Sequence, residues 1–295
     1  MNYSGPLSGN AQQLKKENEM SKNVQEKNET NVIPFDVSDM EADSGMGLGQ
    51  VKQEDLALPF LKIADGKGDV KSGDIFNNVT GEIYSGSEGI RVVPCYYQKR
   101  YLEWAPRGSK GAPVNIFSPE DKAAGRIPAT ERRLKPDGTE DYTDWVVAQG
   151  PDDERGLNYI EDTAQHYVLI LTPEGGMEPG LITMHKTGLK RSKAWNSMMR
   201  SRIVNGKNGP FMPPSFAFVY LLTSDKQHNS KDETWHLWKI TLEGDISENC
   251  EDAGIVYNFA KSFASSIGAG EVTVKHESDV TPAKGDTAKG EDSPF

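Results

Sequence analysis

Apolar and polar positions alternate in short stretches through the middle of the chain and fall at helical spacing only twice. The longest alternating stretch, Ile90 to Trp104, reads as a strand in which Pro94 marks a bulge or an edge. Before it, 56–61 (Leu-Ala-Leu-Pro-Phe-Leu) opens the folded region, and β-prone pieces around Asn77-Asn78 and Thr80-Gly81 give a hairpin signal over 74–84. Further strands are expected at 144–148, 166–172, 181–185, 215–223 and 234–242, with a polar loop over 224–232. Helical spacing appears over 188–203, capped by Thr187 and stopped by Asn205-Gly206, and over 253–267, stopped by Gly268. Between strands, 106–141 is a long excursion rich in Pro, Gly and charge, with a turn at Lys135-Pro136-Asp137-Gly138.

The two ends break the pattern. From Met1 to about Gln50 the residues are mostly Gln, Asn, Lys, Glu and Ser, too polar to offset the entropy of ordering. One apolar island, Ile33-Pro34-Phe35, interrupts that arm, and Gly45-Met46-Gly47-Leu48-Gly49 closes it as a linker rather than a dinucleotide loop, since no strand precedes it. After Lys275 the composition turns polar again. The expected organisation is a disordered arm over 1–52, a core over 53–275 and a disordered acidic tail over 276–295. Many short strands with one or two helices make the fold mainly β or α+β. An OB-like barrel core carrying one long inserted loop fits best, although the pattern does not give strand order and the barrel rests partly on the functional signals below.

Composition narrows the classes. Hydrophobic residues are 36% of the 295, low for a chain that is folded throughout. Cys95 and Cys250 stand far apart, without metal-ligand spacing, so free thiols in a reducing cytoplasm are expected. The longest strongly apolar run, 216–222, is far short of the about 18 residues a membrane helix needs, and the polar start does not read as a signal peptide. A protein of the cytoplasm with no membrane partner follows as the expectation.

Charge is segregated. Between Glu178 and Asp225 there is no acid but seven cations: Lys186, Lys190, Arg191, Lys193, Arg200, Arg202 and Lys207. That leaves −18 on the remainder of a chain whose net charge is −11. At the helical period of about 3.6 residues, Lys186, Lys190, Lys193, Ser197 and Arg200 share one stripe, while Trp195, Met199 and Ile203 share another. The window reads either as a polyanion-binding surface or as the solvated face of an ordinary amphipathic helix, and the lack of mixed sign favours the first.

Rings and cations also interleave at Tyr96-Tyr97-Gln98-Lys99-Arg100-Tyr101-Leu102-Glu103-Trp104. In a strand, Tyr97, Lys99 and Tyr101 take one face, and Tyr96, Gln98, Arg100, Leu102 and Trp104 the other. Single-stranded nucleic acid is held by such sets, rings stacking on bases at about 1 to 3 kcal/mol each and cations following phosphates. One set of rings must also serve the core.

No catalytic constellation assembles. His166, His185, His228, His236 and His276 are scattered, no Walker-type phosphate loop is present, and Asp152-Asp153-Glu154 and Glu161-Asp162 read as acidic loops rather than metal carboxylates. The expectation is a protein that is not an enzyme and needs no metal or cofactor. A virion or assembly protein docking through its tail, or a metal-dependent nuclease, are the alternatives.

The blocks Leu58-Pro59-Phe60-Leu61-Lys62-Ile63, Gly73-Asp74-Ile75-Phe76-Asn77, Thr80-Gly81-Glu82-Ile83-Tyr84 and Val92-Val93-Pro94-Cys95-Tyr96-Tyr97, followed by Tyr101-Leu102-Glu103-Trp104-Ala105-Pro106, resemble a group of tailed-phage proteins. Some of these are assigned as single-stranded DNA-binding proteins. The ending Glu291-Asp292-Ser293-Pro294-Phe295 is similar to the acidic Pro-Phe tips of bacterial single-stranded DNA-binding proteins and, more loosely, to the Phe-ended tails of T7-type phage ones. The core departs from the bacterial family, being about twice the usual OB length. The resemblance implies an OB-type core without enzymatic activity, binding single-stranded DNA in phage replication or recombination in the host cytoplasm. It also implies a tail in which Glu291, Asp292, Pro294 and Phe295 recruit a DNA polymerase or other replication proteins. DNA contacts are expected from the seven cations of the window and from Tyr97, Lys99, Arg100, Tyr101 and Trp104. Homo-oligomerisation is left open.

Overall fold

The computed structural model describes residues 57–66, 70–106, 109, 111–134, 140–147, 158–173, 175–272 and 274. The expected arm with its 33–35 island, the turn at 135–138, the acidic run 152–154 and the tail lie outside the described residues. In chain order the described residues form β1 (Phe60–Ile63), β2 (Ile75–Asn77), β3 (Ile83–Tyr84), β4 (Ile90–Trp104), β5 (Asn115–Phe117), α1 (Pro119–Ala123), β6 (Thr130–Leu134), β7 (Glu140–Val147), β8 (Tyr159–Leu171) and β9 (Met177–His185). Then come α2 (Gly188–Arg200), β10 (Val204–Gly206), β11 (Gly209–Phe211), a 3-10 turn (Ser215–Ala217), β12 (Phe218–His228), β13 (Thr234–Asp245), α3 (Ile246–Asn249) and α4 (Ala253–Gly268).

Strand β4 organises the sheet. Its start is fixed by Gly89, whose positive φ of 80° makes the turn and where a Cβ would run into the Leu222 carbonyl of β12. Residues 90–92 pair with β12, and the whole strand pairs antiparallel with β8. The register slips between Pro94 and Tyr96, which leaves Cys95 as an extra residue. Pro94 sits at that bulge because it has no N–H to give the ladder. The sheet runs β13-β12-β4-β8-β9-β1-β2-β3, with β5 also on β4. β4, β8 and β9 are consecutive antiparallel neighbours, and β12 returns after α2 to lie beside β4, which is a Greek key. With β13 hairpinned onto β12, these five strands curl into an OB-like half-barrel. β1 lies parallel to β9 and approaches β13, drawing the two sides of the curl together.

Both faces of the sheet are covered, so β8 is buried without alternation from Thr163 to Ile170. On one face Trp195 of α2 is fully buried, stacked on His166 (4.5 Å) and edge-on to Tyr220 (5.8 Å), among Val92, Ile182 and Leu222. Trp195→Ala there should cost about 3 to 5 kcal/mol. On the other face Val256, Ala260, Phe263 and Ile267 of α4 stand at helical spacing and pack on Val93, Cys95, Tyr167 and Leu169.

Several sequence expectations need correction. β12 extends to His228, so most of the expected loop over 224–232 is strand, because Ser224 to His228 pair residue by residue with β13. Glu161 and Asp162 lie in β8, not in a loop. Thr187 is the N-cap of α2, but its side chain makes no capping hydrogen bond. That helix ends at Arg200, so Ile203, expected in the packed stripe, is 62% exposed. The inserted segment after β4 carries β5, α1 and the β6–β7 hairpin.

The buried stack sets a pH dependence. His166 Nε2 lies 2.8 Å from Ser192 Oγ, and burial pushes the imidazole pKa down to about 3, so the native ring is neutral. The unfolded ring protonates near pH 6.5 while the native ring does not. Stability is therefore complete above that pH and falls as pH drops from 6.5 toward 3, by at most about 1.4 kcal/mol per pH unit. Urea midpoints at pH 7.5, 6 and 5 should fall more steeply for the wild type than for His166→Gln. Parallel trends would contradict this assignment.

Candidate functional site

A cleft of about 760 Å³ opens where β4 ends, β8 begins, β9 runs into α2 and β13 begins. Strand register builds its floor. Trp104 faces Tyr159, Leu102 faces Glu161, and Thr163 faces His185, so these side chains share one face of β4, β8 and β9. The diagonal neighbours Glu161 and His185 meet, Oε1 to Nδ1 at 3.1 Å, and Lys186 Nζ lies 3.9 Å from the same oxygen. The Glu161 side chain is only 14% exposed, so its charge is answered by those two neighbours rather than by water. Lys186 turns the chain from β9 into α2 in the left-handed region (φ 48°), uncommon for a residue with a Cβ.

From β13, Trp235 and His236 complete the lining, and His236 Nδ1 lies 3.4 Å from Ser72 Oγ. The indole N–H groups of Trp104 and Trp235 are both buried and have no partner among the described residues. An unanswered buried donor costs about 1 to 3 kcal/mol, which an acceptor entering the cleft would offset.

The basic window lies beside this cleft. Lys186 lines it, and Lys190, Lys193 and Arg200 follow along the exposed face of α2. Among the described residues these last three and Lys207, in the β10–β11 turn, make no ion pair, and the first turn of α2 has no acid. Arg191 differs: Nη2 lies 2.9 Å from Asp225 Oδ2, an acid just beyond the window. Arg202 is half-buried and its Nε has no partner among the described residues.

The ring-rich strand divides. Tyr97, 40% exposed, lies 5.0 Å from the His166 ring. Lys99 binds Asp162 (2.8 Å); burial works most strongly against its ammonium, but the hydrogen bond and charge of Asp162 together with Tyr101 leave its pKa raised. Lys99 and Lys122 of α1 stand 5.0 and 4.6 Å from the Tyr101 ring, which is buried. Arg100 is half-buried and Nη1 donates to the Lys99 carbonyl. The structure thus unites Trp104 with Lys186 in the cleft and commits Tyr101, Lys99 and Arg191 to internal contacts. Cys95 is buried and its thiol pushed up to about 12, so it holds no thiolate.

Sequence reasoning missed Tyr159, Glu161, His185, Trp235 and His236. The available signal was alternation: 159, 161 and 163, like 183 and 185, are same-face positions once both segments are strands.

A family model described as Pam3 phage gp34-like protein matches residues 26–273, and the chain belongs to that family of phage proteins. No curated protein and no solved structure matches it.

The division of roles along β4 is measurable. Tyr101→Ala should lower stability by about 3 kcal/mol through lost core packing, whereas Lys99→Met, which breaks a half-exposed pair, should lower it by no more than about 1 kcal/mol. Equal losses in urea denaturation would contradict the reading of Tyr101 as a packing residue.

Proposed function

We propose that this phage protein of the gp34-like family binds single-stranded DNA with little sequence preference, in phage replication or recombination in the host cytoplasm, and performs no chemistry on it. One observation carries the reading: Lys186 lines the aromatic cleft just before α2, whose exposed cations Lys190, Lys193 and Arg200 make no ion pair among the described residues, so rings and charges lie side by side. A row of like charges at helical spacing disfavours its own helix. An anionic chain lying along it turns that cost into attraction. Over its 13 residues from Gly188 to Arg200 the helix rises roughly 20 Å, enough for several phosphates. The cleft faces the second and third barrel strands, β8 and β9, together with the first interstrand loop, the region through which OB folds bind oligonucleotides. Trp104 is the ring of β4 that lines the cleft for stacking; Tyr97, exposed on the opposite strand face, and buried Tyr101 lie outside it.

The tail residues Glu291, Asp292, Pro294 and Phe295 then serve as a tether, an acidic segment with an aromatic anchor suited to a basic pocket on a polymerase or other replication protein.

Anisotropy of a fluorescent oligo-dT titrated with the full-length protein tests the reading. With four cations on phosphates, log Kobs should fall with log salt at a slope of about −3. Lys190→Glu, Lys193→Glu and Arg200→Glu together should abolish binding, and undetectable wild-type binding at low salt would refute the proposal. Deleting residues 292–295 should leave oligo-dT affinity unchanged or tighter while removing capture of the polymerase. Loss of DNA binding in that truncation would refute the division of labour.

A further inference from the structure

Resting on the single-strand reading, we infer that the cleft is a pocket for one nucleotide: an unstacked base enters among Trp104, Tyr159 and Trp235, and its phosphate sits on Lys186 at the start of α2. A volume of about 760 Å³ falls in the range of small-molecule sites and admits a nucleotide but no duplex. Its lining asks for two chemistries at once. The rings offer flat apolar faces, while the partnerless indole N–H groups of Trp104 and Trp235 ask for acceptors. A nucleobase carries both, a π face and an edge of carbonyl oxygens and ring nitrogens. An aliphatic chain would satisfy the faces and leave the donors unpaired.

The rim supplies the anion's half. Lys186 sits just before α2, the Thr187 side chain does not cap that end, and the first turn has no acid, so no side-chain charge offsets the positive end of the helix dipole there. Glu161, the acid nearest the phosphate, is matched against His185 and Lys186 rather than left as a repelling charge. It also holds His185 through Nδ1. The Nε2 of that half-exposed ring is left for a ligand, with no partner among the described residues. The row Lys190, Lys193 and Arg200 leads away from this rim, so a strand anchored at the cleft would continue along it.

Intrinsic tryptophan fluorescence of the full-length protein, titrated with dTMP, thymidine and inorganic phosphate, tests the pocket. Saturable quenching by dTMP is expected, with thymidine at least about tenfold weaker and inorganic phosphate without effect on the signal. Trp235→Ala should weaken both dTMP and oligo-dT by at least about tenfold. Lys186→Gln, an exposed change that spares the fold, should weaken dTMP but not thymidine, which keeps the test decisive if the tryptophan variant does not fold. Lys190→Glu with Lys193→Glu should weaken oligo-dT while leaving dTMP untouched. Tight oligo-dT binding by the wild type without dTMP quenching would overturn the pocket and leave the strand reading standing. Saturable dTMP binding without oligo-dT binding would support the pocket and overturn the strand reading instead.

Discussion

Strand β4 has to serve neighbours that cover different parts of its length. Over 90–92 it lies between β12 and β8; beyond that the antiparallel β12 has reached its first residue, Phe218, and β4 continues through the bulge at Cys95 paired with β8. The strand has to bend to stay paired around the curl, and a regular ladder resists a sharp local bend. One extra residue at Cys95, next to a proline that has no ladder bond to lose, releases that constraint. The freed edge of β4 then accepts β5 over 101–103 and opens the space in which the cleft forms. The burial of Cys95 belongs to the same device: the bulged residue points into the α4 side of the sheet and is lost to surface chemistry.

The position of the candidate site follows from register rather than from any one motif. Pairing of Trp104 with Tyr159 and of Thr163 with His185 brings together residues from three strands, and the left-handed turn at Lys186 places the first cation of α2 on their rim. The Trp195–His166–Tyr220 stack anchors α2 to the sheet, so the exposed row of that helix is held fixed beside the cleft. Neutral His166 and fully buried Trp195 give the inner face of α2 no freedom to exchange with its charged outer face. The family match identifies a phage protein, and the nucleic-acid reading stands on these geometric relations together with charge.

Much of the framework was legible in the sequence, for identifiable reasons. β4 runs from Ile90 to Trp104 as alternation and a bulge-marking proline suggest, and α2 and α4 begin at the expected residues. What escaped was polar strand. Tyr159 to Gln165 and Ser224 to His228 carry acids and amides that propensity assigns to loops, yet neighbours distant in sequence pair their backbones. Asp162 finds Lys99 across the ladder, and Glu161 finds His185 and Lys186. The histidines looked scattered for the same reason, since nothing local marks a partner supplied by another strand. Tyr101 and Lys99 looked like contact residues; the Tyr101 ring is buried with Lys122 of α1 over it, and Lys99 is held by Asp162, neither of which is marked in the local sequence.

Ultraviolet cross-linking of a 4-thiothymidine oligonucleotide to the full-length protein, with the attached peptides mapped by mass spectrometry, reaches the central claim most directly. The account predicts adducts on the peptides that carry Trp104, Tyr159 and Trp235 and on α2. Absence of any adduct, or adducts confined to the outer face of α4, would contradict it.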